Sequence, residues 1–116
     1  MPKAITPSYR PPTKKQVETA LQEAADSIME RLKFVGILAI KPENILVEQY
    51  VEAPIRTGLV QIALSKPERM LPLVVEEKFG GFMLVDGHHR LEAWIGVRAN
   101  AVWVVVAKEV RAKRRS

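Results

Sequence analysis

The chain has 116 residues, 47% of them apolar, a net charge of +5 and no cysteine. This length fits one domain with a core of its own. The lack of cysteine excludes disulfides, thiolate metal sites and cysteine nucleophiles, and it fits a reducing compartment. Residues 1–12 are polar and contain four prolines, unlike a signal peptide, and no apolar run is long enough to span a bilayer. We therefore expect a cytoplasmic protein with no membrane partner.

Positive charge is concentrated at the two ends of the chain, and it gives one candidate binding surface. The candidate residues for nucleic-acid binding near the C-terminus are Lys108, Arg111, Lys113, Arg114 and Arg115. Such a basic segment can bind nucleic acid through phosphate contacts alone. The alternative is a solvated end that binds nothing.

The first third of the sequence predicts an arm followed by a long helix. Prolines oppose a helix over residues 1–12. Thr13 and Gln16 form a capping-box pattern, and apolar residues then recur at helical spacing: Val17, Leu21, Ala24, Ile28 and Leu32. This predicts a helix over 14–35 that is ended by Gly36, with Leu21, Ile28 and Leu32 buried.

The remaining sequence alternates strand and helix patterns. We expect a strand over 45–51, a helix over 54–65 and a strand over 71–76. A hairpin turn at 77–81, an antiparallel strand over 82–85 and a helix over 88–98 with Asn100 as its left-handed cap should follow. The β-branched run over 102–106 predicts a strand buried on both faces. The predicted organisation is an arm (1–12), a helix (13–36), an α/β (α+β) domain (37–107) and a basic tail (108–116).

The stretch Asp86-Gly87-His88-His89-Arg90 lies between an apolar run and a helical pattern. A strand that enters a helix through a glycine turn directs the free N–H groups and the positive dipole end of the helix toward one point. Such a point binds anions, most often phosphate. The guanidinium group of Arg90 suits the same ligand.

Other interpretations of these residues are open. Gly87 is a turn glycine in either case, and Arg90 is alternatively paired with Glu92 or Glu76. Asp86 is a helix cap, a base or a ligand of phosphate-bound Mg²⁺. Because neighbours on a helix point about 100° apart, His88 and His89 cannot both face one ligand equally. Two adjacent histidines without cysteine do not make a zinc site.

The segment 72–95, from Pro72-Leu73-Val74-Val75 through the Gly80-Gly81 hairpin to Asp86-Gly87-His88-His89-Arg90-Leu91, resembles the ParB/sulfiredoxin-like fold superfamily. The resemblance extends over about 45–107. It implies a small mixed sheet with flanking helices. It also implies nucleotide phosphates bound at the turn Gly87, His88, His89 and Arg90. The superfamily includes partition proteins that hydrolyse CTP, sulfiredoxins that use ATP and a free-serine kinase that uses ADP.

The chain departs from two of these groups. Sulfiredoxins carry a catalytic cysteine in this turn, where this chain has His88, so sulfiredoxin chemistry is excluded. Partition proteins have a helix-turn-helix domain after the fold, and we expect none in this chain of 116 residues. The turn is most similar to the Asp-Gly-x-His-Arg turn of the free-serine kinase. That resemblance implies catalytic roles for Asp86, His89 and a loop glutamate, for which Glu52 is the best match and Glu43 the alternative.

Three functional hypotheses follow. The first is a ParB-like domain that binds a nucleotide (ATP, ADP or CTP with Mg²⁺) and hydrolyses it or transfers its phosphate. The second is a DNA-binding accessory protein of plasmid partition without turnover, and the third is a small-molecule kinase that resembles the free-serine kinase. A homodimer is an open possibility.

Overall fold

A computed structural model describes residues 6–48 and 56–110 of the chain. Within these ranges the chain forms three helices and five strands. In chain order they are α1 (Lys14–Ile28), β1 (Arg31–Ile40), β2 (Ile45–Leu46), α2 (Thr57–Ser65), β3 (Leu73–Lys78), β4 (Gly81–Asp86), α3 (His88–Gly96) and β5 (Val102–Val110). Short 3-10 turns lie at Pro42–Asn44 and Pro67–Arg69. This mixture of helices and strands confirms the predicted α+β class.

The strands form one mixed sheet in the order β1-β5-β3-β4-β2. β5 pairs antiparallel with β1 and parallel with β3, while β3 and β4 form the predicted antiparallel hairpin and β2 runs parallel to β4. β5 therefore has neighbours on both sides, and its Val102, Val104 and Val105 are fully buried. This confirms the prediction, because a β-branched run without polar alternation suits a strand covered on both faces.

Because successive side chains of a strand point to opposite faces of the sheet, the core has two layers. Val74 and Val105 face α1, where they pack with Val17, Ala20 and Ala24. Their neighbours Leu73, Val75, Val104 and Val106 face the other way, toward Trp94 and Leu91 of α3 and Ala63 of α2. The sheet therefore lies between α1 on one face and the α2–α3 pair on the other.

The predicted helix over 14–35 is too long. The capping box of Thr13 and Gln16 is present, but α1 ends at Ile28 with Met29 in the left-handed conformation (φ 56°). The chain then enters β1, which contains Gly36 at an irregularity of its pairing with β5. Leu21, Ile28 and Leu32, expected to be buried, are half-buried. The short residues Val17, Ala20 and Ala24 make the close contact instead.

Several other boundaries also differ from the prediction. The expected strand over 45–51 is observed at Ile45–Leu46 and the expected helix over 54–65 from Thr57 onward, while residues 49–55 lie outside the described ranges. α3 ends at Gly96, and the left-handed residue after it is Arg98 (φ 55°), not Asn100. β5 continues to Val110, so Lys108 belongs to the sheet.

The described part of the arm is anchored by Tyr9. Its ring stacks on Trp94 with centroids 5.5 Å apart. Its hydroxyl accepts a hydrogen bond from the Trp103 backbone N–H (3.0 Å), and its carbonyl accepts one from the Trp103 indole (2.9 Å). These contacts join the arm to α3 and β5. None of the helices in the described ranges has the length and apolarity to cross a membrane.

Candidate functional site

Gly87 makes the tight junction between β4 and α3. It is buried and left-handed (φ 111°), and it occupies the N-cap position of α3. A Cβ atom there would lie 2.7 Å from Cδ2 of Leu73 and 3.1 Å from Nη2 of Arg90. Both the backbone conformation and the lack of space therefore require glycine. The Leu91 N–H donates to the Gly87 carbonyl (2.8 Å), which begins the helical hydrogen-bond series directly after the turn.

Arg90 lies in the first turn of α3 and folds back over Gly87. Its Nη2 atom donates to the Pro72 carbonyl at 3.4 Å and lies 4.0 Å from Oδ2 of Asp86. Its Nε atom is buried and has no hydrogen-bond partner among the described residues. Burial lowers the pKa of Arg90, and the nearby carboxylates of Asp86 and Glu23 partly oppose this effect. A guanidinium remains charged in proteins, so the site holds a partly desolvated cation.

Asp86 ends β4 and faces Arg90, with its side chain 24% exposed. The interpretation of Asp86 as the cap of α3 is wrong, because Gly87 is the N-cap and no side chain accepts a hydrogen bond there. Arg90 forms an ion pair with Asp86, one helical turn away, which the sequence analysis did not consider when it gave Glu92 or Glu76 as alternative partners. The carboxylate therefore stands beside the turn as a charged group of the site.

The two histidines point to different surroundings. His89 Nε2 lies 3.4 Å from Nη2 of Arg56, just before α2, and its Nδ1 is buried without a hydrogen-bond partner among the described residues. His88 instead lines a cavity of about 610 Å³, together with Glu76, Lys78 and Glu109. The side chains of His88 and His89 therefore lie in different surroundings. Arg56 was missed by the sequence analysis, since 33 residues separate it from His89 and no local pattern links them.

The remaining predicted site residues lie elsewhere. Glu52 and the basic residues Arg111, Lys113, Arg114 and Arg115 lie outside the described ranges. Glu43 is exposed in the 3-10 turn Pro42–Asn44. Lys108 is exposed on β5 and lies directly opposite Lys33 of β1. Within residues 6–48 and 56–110, no group of three acidic, histidine or cysteine side chains is arranged to hold a metal ion.

Comparison with known proteins shows similarity in structure only. No protein-family model and no curated protein matches the chain. Its structure is similar to that of sulfiredoxin from Arabidopsis thaliana, with a TM-score of 0.51 and 17% identity over 62% of this chain and 84% of that chain. It is also similar to C-terminally truncated chromosome-partitioning protein ParB from Caulobacter crescentus in complex with CTP-γ-S. There the TM-score is 0.46 and the identity 19%, over 66% of this chain and 46% of that chain.

Proposed function

We propose that this chain, which has a ParB/sulfiredoxin-like fold, binds the phosphate groups of a nucleotide at the turn from Gly87 to Arg90. The observation that carries the proposal is the buried Nε of Arg90, which has no hydrogen-bond partner among the described residues. A buried donor without a partner costs about 1–3 kcal/mol, and more when it belongs to a charged group. A phosphate oxygen at this atom would remove that cost.

The surroundings of Arg90 favour the same ligand. By helix geometry, the N–H groups of His88, His89 and Arg90 have no acceptor within α3. The positive end of the helix dipole adds to their field. Arg56 brings a second guanidinium group beside His89. A phosphate chain that passes from Arg90 toward Arg56 would therefore meet cations and N–H donors along its length.

The Asp86 carboxylate limits the chemistry that can accompany phosphate binding. A carboxylate 4.0 Å from Arg90 repels a phosphate unless a proton or a cation lies between them. Mg²⁺ in nucleotide sites takes one or two protein carboxylates and completes its shell with phosphate oxygens and water. Asp86 fits that single-carboxylate role. The ion would neutralise charge on the phosphates during hydrolysis or transfer.

We further propose Asp86 and His89 as catalytic residues. Glu52, which lies outside the described ranges, is proposed as a third. As the alternative to holding Mg²⁺, Asp86 would act as a base: in a kinase that resembles the free-serine kinase, it would accept the proton of the acceptor hydroxyl. In a hydrolase, it would accept the proton of the attacking water. The nucleotides to be considered are ATP, ADP and CTP. Sulfiredoxin chemistry is not proposed, because the chain has no cysteine.

The test is isothermal titration with ATP, ADP, CTP and GTP, each with and without Mg²⁺. Arg90→Ala should weaken the best ligand about ten- to a hundredfold, since a charged hydrogen bond contributes about 1.5–3 kcal/mol. The matched control is Arg69→Ala, which removes an exposed arginine from the turn Pro67–Arg69. If the unaltered protein binds none of the four at millimolar concentration, the phosphate-site proposal is wrong.

DNA binding is a second candidate, and one observation favours it. Lys108 lies directly opposite Lys33 across the β1–β5 pair, and both side chains are exposed. Like charges at opposite positions of an antiparallel pair repel each other. A phosphate of a nucleic-acid backbone placed between them would turn that repulsion into attraction. The basic residues that follow β5 in sequence would extend the surface.

A further inference from the structure

β1 is an edge strand of unusual composition. It is ten residues long, lies at the end of the sheet, and seven of its residues are apolar. None of the ten is buried. Val35 and Leu38 expose 59% and 42% of their surface. Its neighbour β5, by contrast, has five buried residues. Only one side of β1 is paired within the described ranges, so its outer backbone N–H and C=O groups face no strand there.

Features that prevent pairing with another strand occur only in the first half of β1. Proteins commonly protect an edge strand with charged residues, bulges or proline. Arg31 and Lys33 provide charge, and the pairing with β5 is irregular between Phe34 and Gly36. The following segment Gly36–Ile40 has neither charge nor proline until Lys41 and Pro42. This apolar half is thus left open to pairing with another strand.

We propose that Gly36–Ile40 pairs antiparallel with the same segment of a second copy of this chain, around a two-fold axis at Leu38. Such an interface is isologous, with the same surface on both subunits. Leu38 would then lie opposite Leu38, Ile37 opposite Ala39, and Gly36 opposite Ile40. The two five-stranded sheets would join into one continuous sheet.

The charges along β1 select this register. A two-fold axis at Gly36 would place Arg31 opposite Lys41, and an axis at Ile37 would place Lys33 opposite Lys41. Both arrangements oppose like charges, which destabilises an antiparallel pair. An axis at Leu38 places the uncharged Val35 against Lys41. It also directs Lys33 toward Glu43, which is exposed in the turn that follows β1. Among these registers, charge complementarity therefore favours Leu38.

The pairing is independent of the proposed nucleotide site. β5 and β3 separate β1 from β4, which carries the turn at Gly87. α1 packs on a face of the sheet, so it leaves the outer edge of β1 uncovered. Dimer formation would therefore proceed without nucleotide, and failure of one proposal would leave the other untouched.

Cross-linking at the two-fold axis tests the register directly. Since the chain has no cysteine, Leu38→Cys introduces a single thiol that would meet its own copy. Mild oxidation of L38C should give a covalent dimer. Gly36→Cys, which would lie opposite Ile40, and Leu64→Cys, at a residue that is 68% exposed on α2, should give little covalent dimer. Cross-linking through G36C but not through L38C would overturn the pairing.

Sedimentation velocity over roughly a hundredfold range of protein concentration provides a second readout, because association follows mass action. The unaltered chain should shift from monomer to dimer as concentration rises. Leu38→Lys should remain monomeric, and its melting temperature should match that of the unaltered chain at the low concentrations where both are monomers. A matched change elsewhere, Leu64→Lys, should dimerise normally. A monomer at every concentration, together with no L38C cross-link, would refute the proposal even if L38K proved unstable.

Discussion

The guanidinium group of Arg90 lies between two groups that hold it in place: the Asp86 carboxylate at 4.0 Å and the Pro72 carbonyl at 3.4 Å. Pro72 precedes β3 and Asp86 ends β4, so Arg90 connects α3 to both strands of the hairpin. The arginine is therefore positioned before any ligand arrives. Less side-chain entropy would then be lost on binding, which is the general advantage of a preorganised site.

Replacing Asp86 with asparagine should separate binding from chemistry. The variant removes one negative charge beside the proposed phosphate site, so we expect nucleotide affinity measured without Mg²⁺ to be retained or increased. Phosphate release or transfer, if present in the unaltered chain, should be lost, because the base or metal ligand is gone. Titration calorimetry and a phosphate-release assay measure the two effects. Equal loss of binding and turnover would contradict the assigned role.

Replacing Gly87 with alanine should destabilise the fold. A non-glycine residue in this backbone conformation costs on the order of 1–3 kcal/mol, and the added Cβ would lie 2.7 Å from Leu73. Urea denaturation measures the change in unfolding free energy. Gly58→Ala is the control and should raise the unfolding free energy instead of lowering it. Gly58 lies in α2, and no atom lies within 4 Å of the position of the added methyl group. That change should stabilise the helix by about 1 kcal/mol.

The anchoring of the arm by Tyr9 should depend on pH. Burial raises the pKa of Tyr9, while the hydrogen bond from Trp103 opposes the shift. The unfolded chain therefore releases this proton first. The stabilisation is present below the unfolded pKa of about 10 and is lost as pH rises through the folded value. Urea denaturation from pH 8 upward should show a steeper loss of stability in the unaltered chain than in Tyr9→Phe.

Packing between α1 and the sheet should be sensitive to added volume. Ala24 has no exposed surface and lies against Val74 and Val105. Ala24→Leu should cost about 1–3 kcal/mol, the usual effect of overpacking a well-filled core. Gln22→Leu adds apolar volume to an exposed position on the same helix and should change stability little. Equal melting temperatures for all three proteins would mean that α1 is loosely attached.

DNA binding through Lys108 predicts a measurable dependence of affinity on salt concentration. If Lys108 contacts one phosphate of duplex DNA, Lys108→Ala should weaken binding and reduce the slope of log affinity against log salt by about 0.9. Fluorescence anisotropy with a labelled duplex measures both effects. Lys66→Ala removes an exposed lysine at the end of α2 and serves as the control. An unchanged slope in K108A would remove Lys108 from the DNA surface.

The sequence was informative where the signals are local. Thr13 and Gln16 identified the start of α1 because a capping box involves residues three apart. The order of strand, Gly87 and helix was likewise predictable, since periodicity changes from two to 3.6 at a glycine. The fold class then followed from the order of these elements.

The errors arose where distant parts of the chain decide the structure. Leu32 follows Ile28 at helical spacing, yet it lies in β1 because that strand pairs with β5, with Leu32 opposite Glu109. Tertiary pairing overrides local preference in such segments. The contact between Arg56 and His89 has the same character. Nothing near either residue indicates the other.

The position of β5 within the sheet affects how the chain reaches its fold. β5 is the last of the described strands in sequence, yet it lies between β1 and β3. Its pairing with β1 joins residues as far apart as Arg31 and Val110. Closing such long loops slows folding. Until β5 has paired, the edges of β1 and β3 that face it lack a partner strand. Refolding should therefore be slow and vulnerable to aggregation at high protein concentration.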